Sequence, residues 1–360
     1  MKIRTRERYV LMSADYSQQE PKLLTQLCGD ENMLESYRQG KDLYSQIAAI
    51  AFHTTYERCL EHFPKDTPII QRDDGKWDYA TEEEIQNNLY TKLADGETDT
   101  YKAGKSLRSQ AKSILLGIMY GRGEKSIAEQ LGCTVEEAKV IKDDVYEGFP
   151  AIRQFEEESL KMAREKGYVT TLWGRKRRLP EIQLPNFEFF YKPADVGPTE
   201  FGKIFQPENR IPDIEADGYK YQMLNATHYR AKEKLIQKLN EQGVYVQNNE
   251  GKIADATRQV INSRVQGSAS DMSKKAMIAV NTDDALKAIK GQVIIPVHDE
   301  LILQAPLRNA RVAKQLFAFD MEHAAEDRLT VPIKCDVTVA ERWYGAELDL
   351  NKELEGLSDD

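Results

Sequence analysis

The chain has 360 residues, 41% of them hydrophobic, and a formal net charge of −9. That length suits two or three domains or one large multi-part unit, and that apolar fraction excludes a disordered or fibrous chain. The acidic balance argues against a uniformly basic nucleic-acid binder, because phosphate contacts need Lys and Arg.

The charges are segregated, however. Arg175-Lys176-Arg177-Arg178 is a dense basic run, while Asp and Glu crowd residues 73–99 and the C-terminal end. Cys28, Cys59, Cys133 and Cys335 show no metal-ligand spacing. No apolar stretch reaches the roughly 18–20 residues of a membrane span, and no apolar signal core follows the charged N-terminus. A reduced, cytoplasmic protein without membrane attachment is expected, in the host cytoplasm if the source is viral.

In chain order, Tyr9-Val10-Leu11-Met12 opens a strand over residues 8–14. Apolar residues at helical spacing predict helices over 20–28 and 43–52. Residues 54–100 are acidic, carry turn signals such as Asp73-Asp74-Gly75, and read as an insertion. A long helix is expected over 103–120, stopped at Gly121 and Gly123. Further helices follow at 124–131, 135–147 and 151–166, with Thr134 and Glu137 spaced as a capping box. Residues 167–172 read as a strand leading to a turn at Gly174. Six prolines in residues 180–212 exclude a long helix or a central strand there, so this segment is expected to be an insertion or extended loop. Helices at about 225–242 and 254–280, a hairpin around His298-Asp299-Glu300, a helix at 309–326 and a strand near 331–340 complete the pattern. The fold class is mixed α+β.

Three motifs carry chemistry. Asp15-Tyr16-Ser17-Gln18-Gln19-Glu20 sits at the end of the first strand. His298-Asp299-Glu300 lies between Val293-Ile294-Ile295-Pro296-Val297 and Leu301-Ile302-Leu303. Each is read as a strand that delivers a carboxylate at its tip. A lone Asp after a strand is usually a turn residue, but apolar strand on both sides of an acidic pair makes sense if a divalent cation neutralises it. Mg²⁺ takes a few carboxylates plus phosphate oxygens and water, which suits Asp15, Asp299 and the backbone carbonyl of Tyr16. Two such ions can drive an in-line displacement at phosphorus.

Between them, Arg108, Lys112, Leu116 and Tyr120 recur every four residues and so share one helix face. A cationic end followed by an apolar and aromatic end matches a nucleoside triphosphate, with Arg108 and Lys112 gripping phosphates. Arg258, Asn262 and Gln266 form a second such face, in the hydrogen-bonding vocabulary of base edges and sugar-phosphate. Arg175 and Arg177 in the basic run have nucleic-acid phosphate as a natural partner.

These residues resemble DNA polymerase family A, the bacterial DNA polymerase I enzymes and their phage relatives. Asp15-Tyr16-Ser17-Gln18-x-Glu20, Arg108-x3-Lys112-x7-Tyr120-Gly121 and Val297-His298-Asp299-Glu300 look like that family's three polymerase motifs, in order. Gly167-Tyr168-Val169-x-Thr171-Leu172-x-Gly174-Arg175, Arg258-x3-Asn262-x3-Gln266-Gly267 and the Trp343 region fit as well. The match spans nearly the whole chain apart from residues 54–100 and 181–250.

The resemblance implies a right-hand architecture with an antiparallel palm sheet and mostly helical fingers. The palm would take 1–42 and 251–360, the fingers 43–180, and an insertion or extended loop plus helix 181–250. It implies two Mg²⁺ ions on Asp15 and Asp299, with Glu300 in support. Tyr16, Gln18, Tyr44, Arg108, Lys112, Leu116 and Tyr120 would meet the dNTP, and Glu20 would exclude a ribose 2′-OH and pair with Tyr120. His298, Arg175, Arg177, Arg258, Asn262 and Gln266 would meet primer–template DNA. Because the first motif begins at residue 15, a fragment or a split polymerase is expected, with a separate chain carrying thumb or exonuclease as partner.

The sequence departs from the family at several positions. Gln19 stands where Ile is usual, Pro21 and Lys22 where Leu and Arg are common, and Tyr44 where the family often has a His. Leu116 replaces an aromatic residue and Pro296 a polar one. Two alternatives remain: a single-subunit RNA polymerase and a non-catalytic nucleic-acid-binding remnant. Glu20, and Glu300 after Asp299, argue against the first. The intact acidic pair with Arg108 and Lys112 argues against the second.

Overall fold

The computed structural model describes residues 7–60, 63, 66–72, 77–92, 105–194, 196–197 and 200–355. The chain divides into two compact units. The first comprises Met1–Glu158, Thr170–Arg177 and Ile261–Asp360, and the second Ser159–Val169 and Arg178–Val260. Among the described residues no helix is long and apolar enough to cross a membrane.

The first unit is built on a four-stranded antiparallel sheet in the order Cys335–Ala340, Tyr9–Tyr16, Glu300–Pro306, Gln292–Val297. The Tyr9–Tyr16 strand alternates strictly. Val10, Met12, Ala14 and Tyr16 are buried, while Leu11, Ser13 and Asp15 point to the more open face. Its register pairs Ala14 with Leu301 on one side and Asp15 with Asp336 on the other. Gln292–Val297 is an edge strand, which is where a proline such as Pro296 is tolerated, since a central position would lack a ladder donor.

Each acidic turn contains a non-glycine residue in the left-handed region, Gln18 (φ 56°) and His298 (φ 56°). Such backbone costs on the order of 1–3 kcal/mol and concentrates at functional sites. Gln18 immediately precedes the helix Gln19–Cys28, so the strand reverses into a helix just past Asp15.

The helix Lys105–Met119 buries Ala111, Ile114, Leu115, Ile118 and Met119, an i, i+3, i+4, i+7, i+8 stripe, against the helix Leu43–Ala51 and its neighbours. Its opposite face is left for Arg108, Lys112 and Leu116. Residues 103–104 of the expected helix lie outside the described residues. The helices Glu124–Leu131, Val135–Gly148 and Pro150–Lys166 follow, and Thr134 and Glu137 form the reciprocal capping box that their spacing predicts.

Several elements differ from expectation. Glu31–Arg38 is an additional helix, capped by Asp30 through the Met33 amide. Its short apolar stripe gave too little periodicity to announce it. Within 54–100, the described residues form a small sheet, Trp77–Tyr79, Pro68–Gln71 and Thr91–Lys92, around Phe63 and Ile69. Residues 61–62, 64–65, 73–76 and 93–100 lie outside the description. The strand expected at 167–172 is shorter, Tyr168–Thr170, and its partner Lys176–Arg178 takes up most of the basic run.

The second unit differs most. Residues 181–250, expected as an extended loop with one helix, pair Phe187–Tyr191 with Val244–Asn248 and add two helices, Asp213–Asn225 and Tyr229–Glu241. Phe187, Phe189, Ile211, Met223, Leu239 and Val244 form its core. The prolines punctuate these elements instead of preventing them. Pro185 and Pro193 flank the strand, and Pro212 caps the helix Asp213–Asn225.

Leu303 is fully buried in the strand that carries the second acidic turn. Leu303→Ala is expected to cost about 2–5 kcal/mol in urea unfolding. A loss below about 1 kcal/mol would show that the sheet core is not the scaffold of the acidic turns.

Candidate active site

The two acidic turns and the cationic helix face meet around one cavity of about 760 Å³ in the first unit. Asp15, Tyr16, Gln18 and Glu20 line it from the first turn, and His298 and Asp299 from the second. Tyr44, Arg108, Lys112, Leu116 and Tyr120 line it too, and Gln266 enters from the long helix Glu250–Thr282. Carboxylates and cations thus face a common space.

The carboxylates feel one another. Burial pushes the Asp15 carboxyl above its ordinary value, and the charge of Asp299 pushes it further, against a hydrogen bond from the Tyr16 backbone. Glu300 is raised as well, by burial and then by Asp15 and Asp299. Its side chain lines a separate hollow beside Ser13, Ile302 and Trp343, so it adjoins the acidic pair from outside the cavity. Among the described residues no group of three or more His, Cys, Asp and Glu is arranged to hold a metal. A cation between Asp15 and Asp299 would therefore need backbone, water or substrate oxygens as further ligands.

At the far end, Tyr120 donates to Glu20 Oε2 at 3.4 Å, and Gln266 Nε2 donates to the Tyr120 hydroxyl at 3.2 Å. Burial raises the Glu20 carboxyl, and hydrogen bonds from Gln266 and Tyr120 oppose that rise.

Sequence reasoning missed the residue that organises the cationic wall, Asp42. Arg108 binds it through two nitrogens, Nε to Oδ2 and Nη2 to Oδ1, each at 2.9 Å. Asp42 also caps the helix Leu43–Ala51, accepting from the Ser45 amide and hydroxyl, and accepts from Gln18 Nε2 at 2.8 Å. Burial would raise its pKa, but the bonds from Arg108 and Ser45 outweigh that and hold it below the usual Asp value. Asp42 immediately precedes an apolar helical run, which is the N-cap signal, but nothing local announces its partner 66 residues away. The Tyr44 ring lies under both cations, 5.4 Å from the Arg108 guanidinium and 5.9 Å from Lys112 Nζ.

Other residues also escaped the sequence reading. Gln19 is 5% exposed, and its amide donates to the Ala269 carbonyl and the Ser273 hydroxyl at 3.4 and 3.3 Å. Gln19 is thus a polar tie between the first turn and the long helix. Asp336, paired in register with Asp15, accepts from Ser17 Oγ at 2.8 Å. Ser270, Ser273 and Lys274 line the cavity too.

Four residues of the expected nucleic-acid set do not line the cavity. Arg175 is bound to Asp271 at 2.6 Å and to the Gly267 carbonyl. Arg177 is exposed on its short strand. Arg258 belongs to the second unit and pairs with Asp255. Asn262 Oδ1 is buried without a hydrogen-bond partner. The i, i+4, i+8 spacing aligned Arg258, Asn262 and Gln266 along one helix but could not tell where each meets other elements.

The profile of DNA polymerase family A matches residues 2–65, 78–192 and 216–345, so the chain belongs to that family. The unmatched segments, between 65 and 78 and between 192 and 216, are narrower than the insertions expected at 54–100 and 181–250. DNA polymerase I of Bacillus subtilis (strain 168) is 25% identical over 339 residues, covering 94% of this chain and 26% of the relative. The thermostable DNA polymerase I of Thermus filiformis is 25% identical over 343 residues, covering 95% of this chain and 28% of the relative. The chain therefore spans about a quarter of the length of these relatives. The solved POL domain of Pol1 from M. smegmatis, in complex with DNA primer-template and dNTP, superposes with a TM-score of 0.58 at 22% identity. It covers 94% of this chain and 41% of that one, a likeness of fold.

Because the folded-state pKa of Asp42 is depressed, its contribution to stability is complete above the ordinary Asp value of 3.8 and is lost as pH falls below it. Asp42→Asn keeps a competent helix cap but removes the charge that holds Arg108. The variant should lose about 2 kcal/mol at neutral pH, the scale of a charged hydrogen-bond pair, and the deficit should shrink in acid. Urea denaturation across a pH series reads this directly. A deficit that is constant down to low pH would contradict the assignment.

Proposed function

We propose that this chain is the catalytic portion of a template-directed DNA polymerase, which joins a dNTP to the 3′-hydroxyl of a primer. The observation that carries the reading is the single cavity lined by Asp15 and Asp299 together with Arg108 and Lys112, in a chain of DNA polymerase family A. A triphosphate with its divalent cations has that same split of charge.

Two Mg²⁺ ions would suit this cavity, since Asp15 and Asp299 line it together and burial and the Asp299 charge both disfavour an ionised Asp15 without a counter-charge. Asp15, Asp299 and the Tyr16 carbonyl would hold them. What the ions supply when bound is neutralisation of the acidic pair, a lower pKa for the attacking hydroxyl, and charge stabilisation on the departing pyrophosphate.

The remaining work falls to the protein. Arg108 and Lys112 bind and orient the triphosphate tail, each along a fixed direction, because Tyr44 stacks beneath both and Asp42 sets the Arg108 fork. Leu116 and Tyr120, which line the same cavity, would meet the base and sugar. The primer oxygen bonds to the α-phosphorus, the α–β bridging bond breaks, and pyrophosphate leaves. Holding these groups in line, more than any proton transfer by a side chain, is the catalytic contribution. Glu20, held by a hydrogen bond from Tyr120, would exclude a ribose 2′-hydroxyl.

Primer extension with dNTP and Mg²⁺ tests this. Asp15→Ala or Asp299→Ala should lower the rate by at least about 10²–10³-fold, the scale of removing one electrostatic stabiliser. Near-normal extension by either variant would sink the metal assignment. Glu20→Ala should raise ribonucleotide incorporation relative to deoxyribonucleotide. An unchanged ratio would remove Glu20 from sugar selection.

A further inference from the structure

The helix Glu250–Thr282 carries Gln266 into the cavity of the first unit, and the turn between the strands Tyr168–Thr170 and Lys176–Arg178 is docked on that helix beside it. We propose that Gly267 is a positioning residue for the polymerase site: because it has no side chain, the turn seats closely enough on the helix to hold Gln266 against Tyr120 and Glu20. The inference rests on the polymerase reading and deepens it, since Glu20 is the group that would select the sugar.

The seat is bonded along its length. Arg264 Nε donates to the Thr170 carbonyl at 3.2 Å, and the Leu172 amide donates to Ser268 Oγ at 2.9 Å. Arg175 Nη2 donates to the Gly267 carbonyl at 2.9 Å, while its Nε pairs with Asp271. Trp173 Nε1 donates to Asp327 at 3.3 Å, and Lys275 binds the same carboxylate at 3.0 Å. Arg264, Gly267, Ser268, Asp271 and Lys275 follow one face of the helix. At about 100° per residue, that face lies about 150° around the axis from the one that lines the cavity, Gln266, Ala269, Ser270, Ser273, Lys274 and Met277. The turn therefore backs the helix and sets how deeply Gln266 enters the cavity.

Gly267 has no room for a methyl group. A Cβ there would stand 2.7 Å from Thr171 Cγ2 and 3.4 Å from Arg175 Nη2. Carbon atoms settle about 3.5–4.0 Å apart, so helix and turn would have to part by about 1 Å. Thr171 cannot swing aside. It is 4% exposed and β-branched, and its Oγ1 accepts from the Arg175 amide at 3.1 Å, which fixes its rotamer. Its own amide and carbonyl are bonded within the turn, to Arg175 and Gly174.

One residue before Gly267, Gln266 Nε2 reaches the Tyr120 hydroxyl at 3.2 Å, the long end of the N–H···O range. A displacement of about 1 Å exceeds the roughly 0.5 Å within which a functional constellation has to be held. Glu20 takes hydrogen bonds from both Gln266 and Tyr120, so a misplaced Gln266 loosens it twice, directly and through Tyr120. The cavity face of the same helix is tied at Ala269 and Ser273 to Gln19, the neighbour of Glu20. The helix is thus held between the first acidic turn and the Thr171–Arg175 turn, and the fit at Gly267 sets the spacing.

Two readouts on the full chain test this together: primer extension with ribonucleotide against deoxyribonucleotide, and the fluorine NMR resonance of a fluorotyrosine in place of Tyr120. Gly267→Ala should raise ribonucleotide relative to deoxyribonucleotide incorporation about tenfold, the scale of one lost hydrogen bond, and move the resonance toward its position in Gln266→Ala. Thr171→Ser removes the colliding methyl and keeps the hydroxyl. Alone it should leave ratio and resonance unchanged, and T171S/G267A should restore both. Lost folding would lower incorporation of both nucleotides and leave their ratio unchanged. An unaltered ratio or an unaltered resonance in Gly267→Ala, or effects that Thr171→Ser does not reverse, would overturn the proposal. If Gly267→Ala does not fold, T171S/G267A is expected to fold and to match the unaltered chain in both readouts; failure of the double variant to do so also overturns it. A chain that extends no primer would remove the polymerase reading, and the resonances alone would then decide whether Gly267 places Gln266.

Discussion

The register of the Tyr9–Tyr16 strand is the constraint on which everything else depends. Side chains alternate across a sheet, so a slip of one residue would send Asp15 into the core and bring Ala14 to the open face. Two ladders prevent this. Glu300–Pro306 fixes the strand on one side and Cys335–Ala340 on the other, and both must be right at once. The last ladder pair with the hairpin, Ala14 with Leu301, leaves Asp15 just beyond it, level with Glu300 and next to the His298–Asp299 turn. A backbone hydrogen-bond pattern thus brings two like charges together against their repulsion. The burial of Val10, Met12, Ala14 and Leu303 supplies the free energy that opposes it.

The cationic wall is organised by a different device. Arg108 stands on a helix whose buried stripe fixes its orientation, but a long side chain on a fixed helix still has many rotamers. Asp42 removes that freedom by binding the guanidinium at two points, and its own position is set by the helix it caps. Through Gln18 the same carboxylate reaches the turn that follows Asp15. One side chain therefore connects the acidic wall to the cationic wall. Tyr44 contributes a π face beneath both cations.

What was legible in the sequence was what is local. The apolar run at the start of Tyr9–Tyr16, the four-residue recurrence of Arg108, Lys112, Leu116 and Tyr120 along Lys105–Met119 and the Thr134–Glu137 capping box are each local, so sequence alone exposed them, while the alternation of the strand and the buried stripe of the helix emerged with the fold. The acidic turns were legible because apolar strand brackets them. Asp42, Gln19 and Asp336 were not, because their meaning lies in partners supplied by tertiary pairing, Arg108, Ser273 and Ser17. The second unit was obscured by its prolines, which looked like a loop until Pro185, Pro193 and Pro212 were seen to fall between elements and not inside them. Arg258 and Asn262 show what periodicity leaves open: it joined them to Gln266, but the helix Glu250–Thr282 runs from the second unit into the first, and only Gln266 of the three lines the cavity.

The central claim is that Asp15 and Asp299 together form a divalent-cation site facing Arg108 and Lys112. Mn²⁺ binding measured by electron paramagnetic resonance, with and without dNTP, tests it most directly and needs no turnover. The account predicts Mn²⁺ binding that tightens when dNTP is added and is abolished by neutralising either aspartate. Mn²⁺ that binds Asp15→Asn and Asp299→Asn as tightly as the unaltered chain would contradict it.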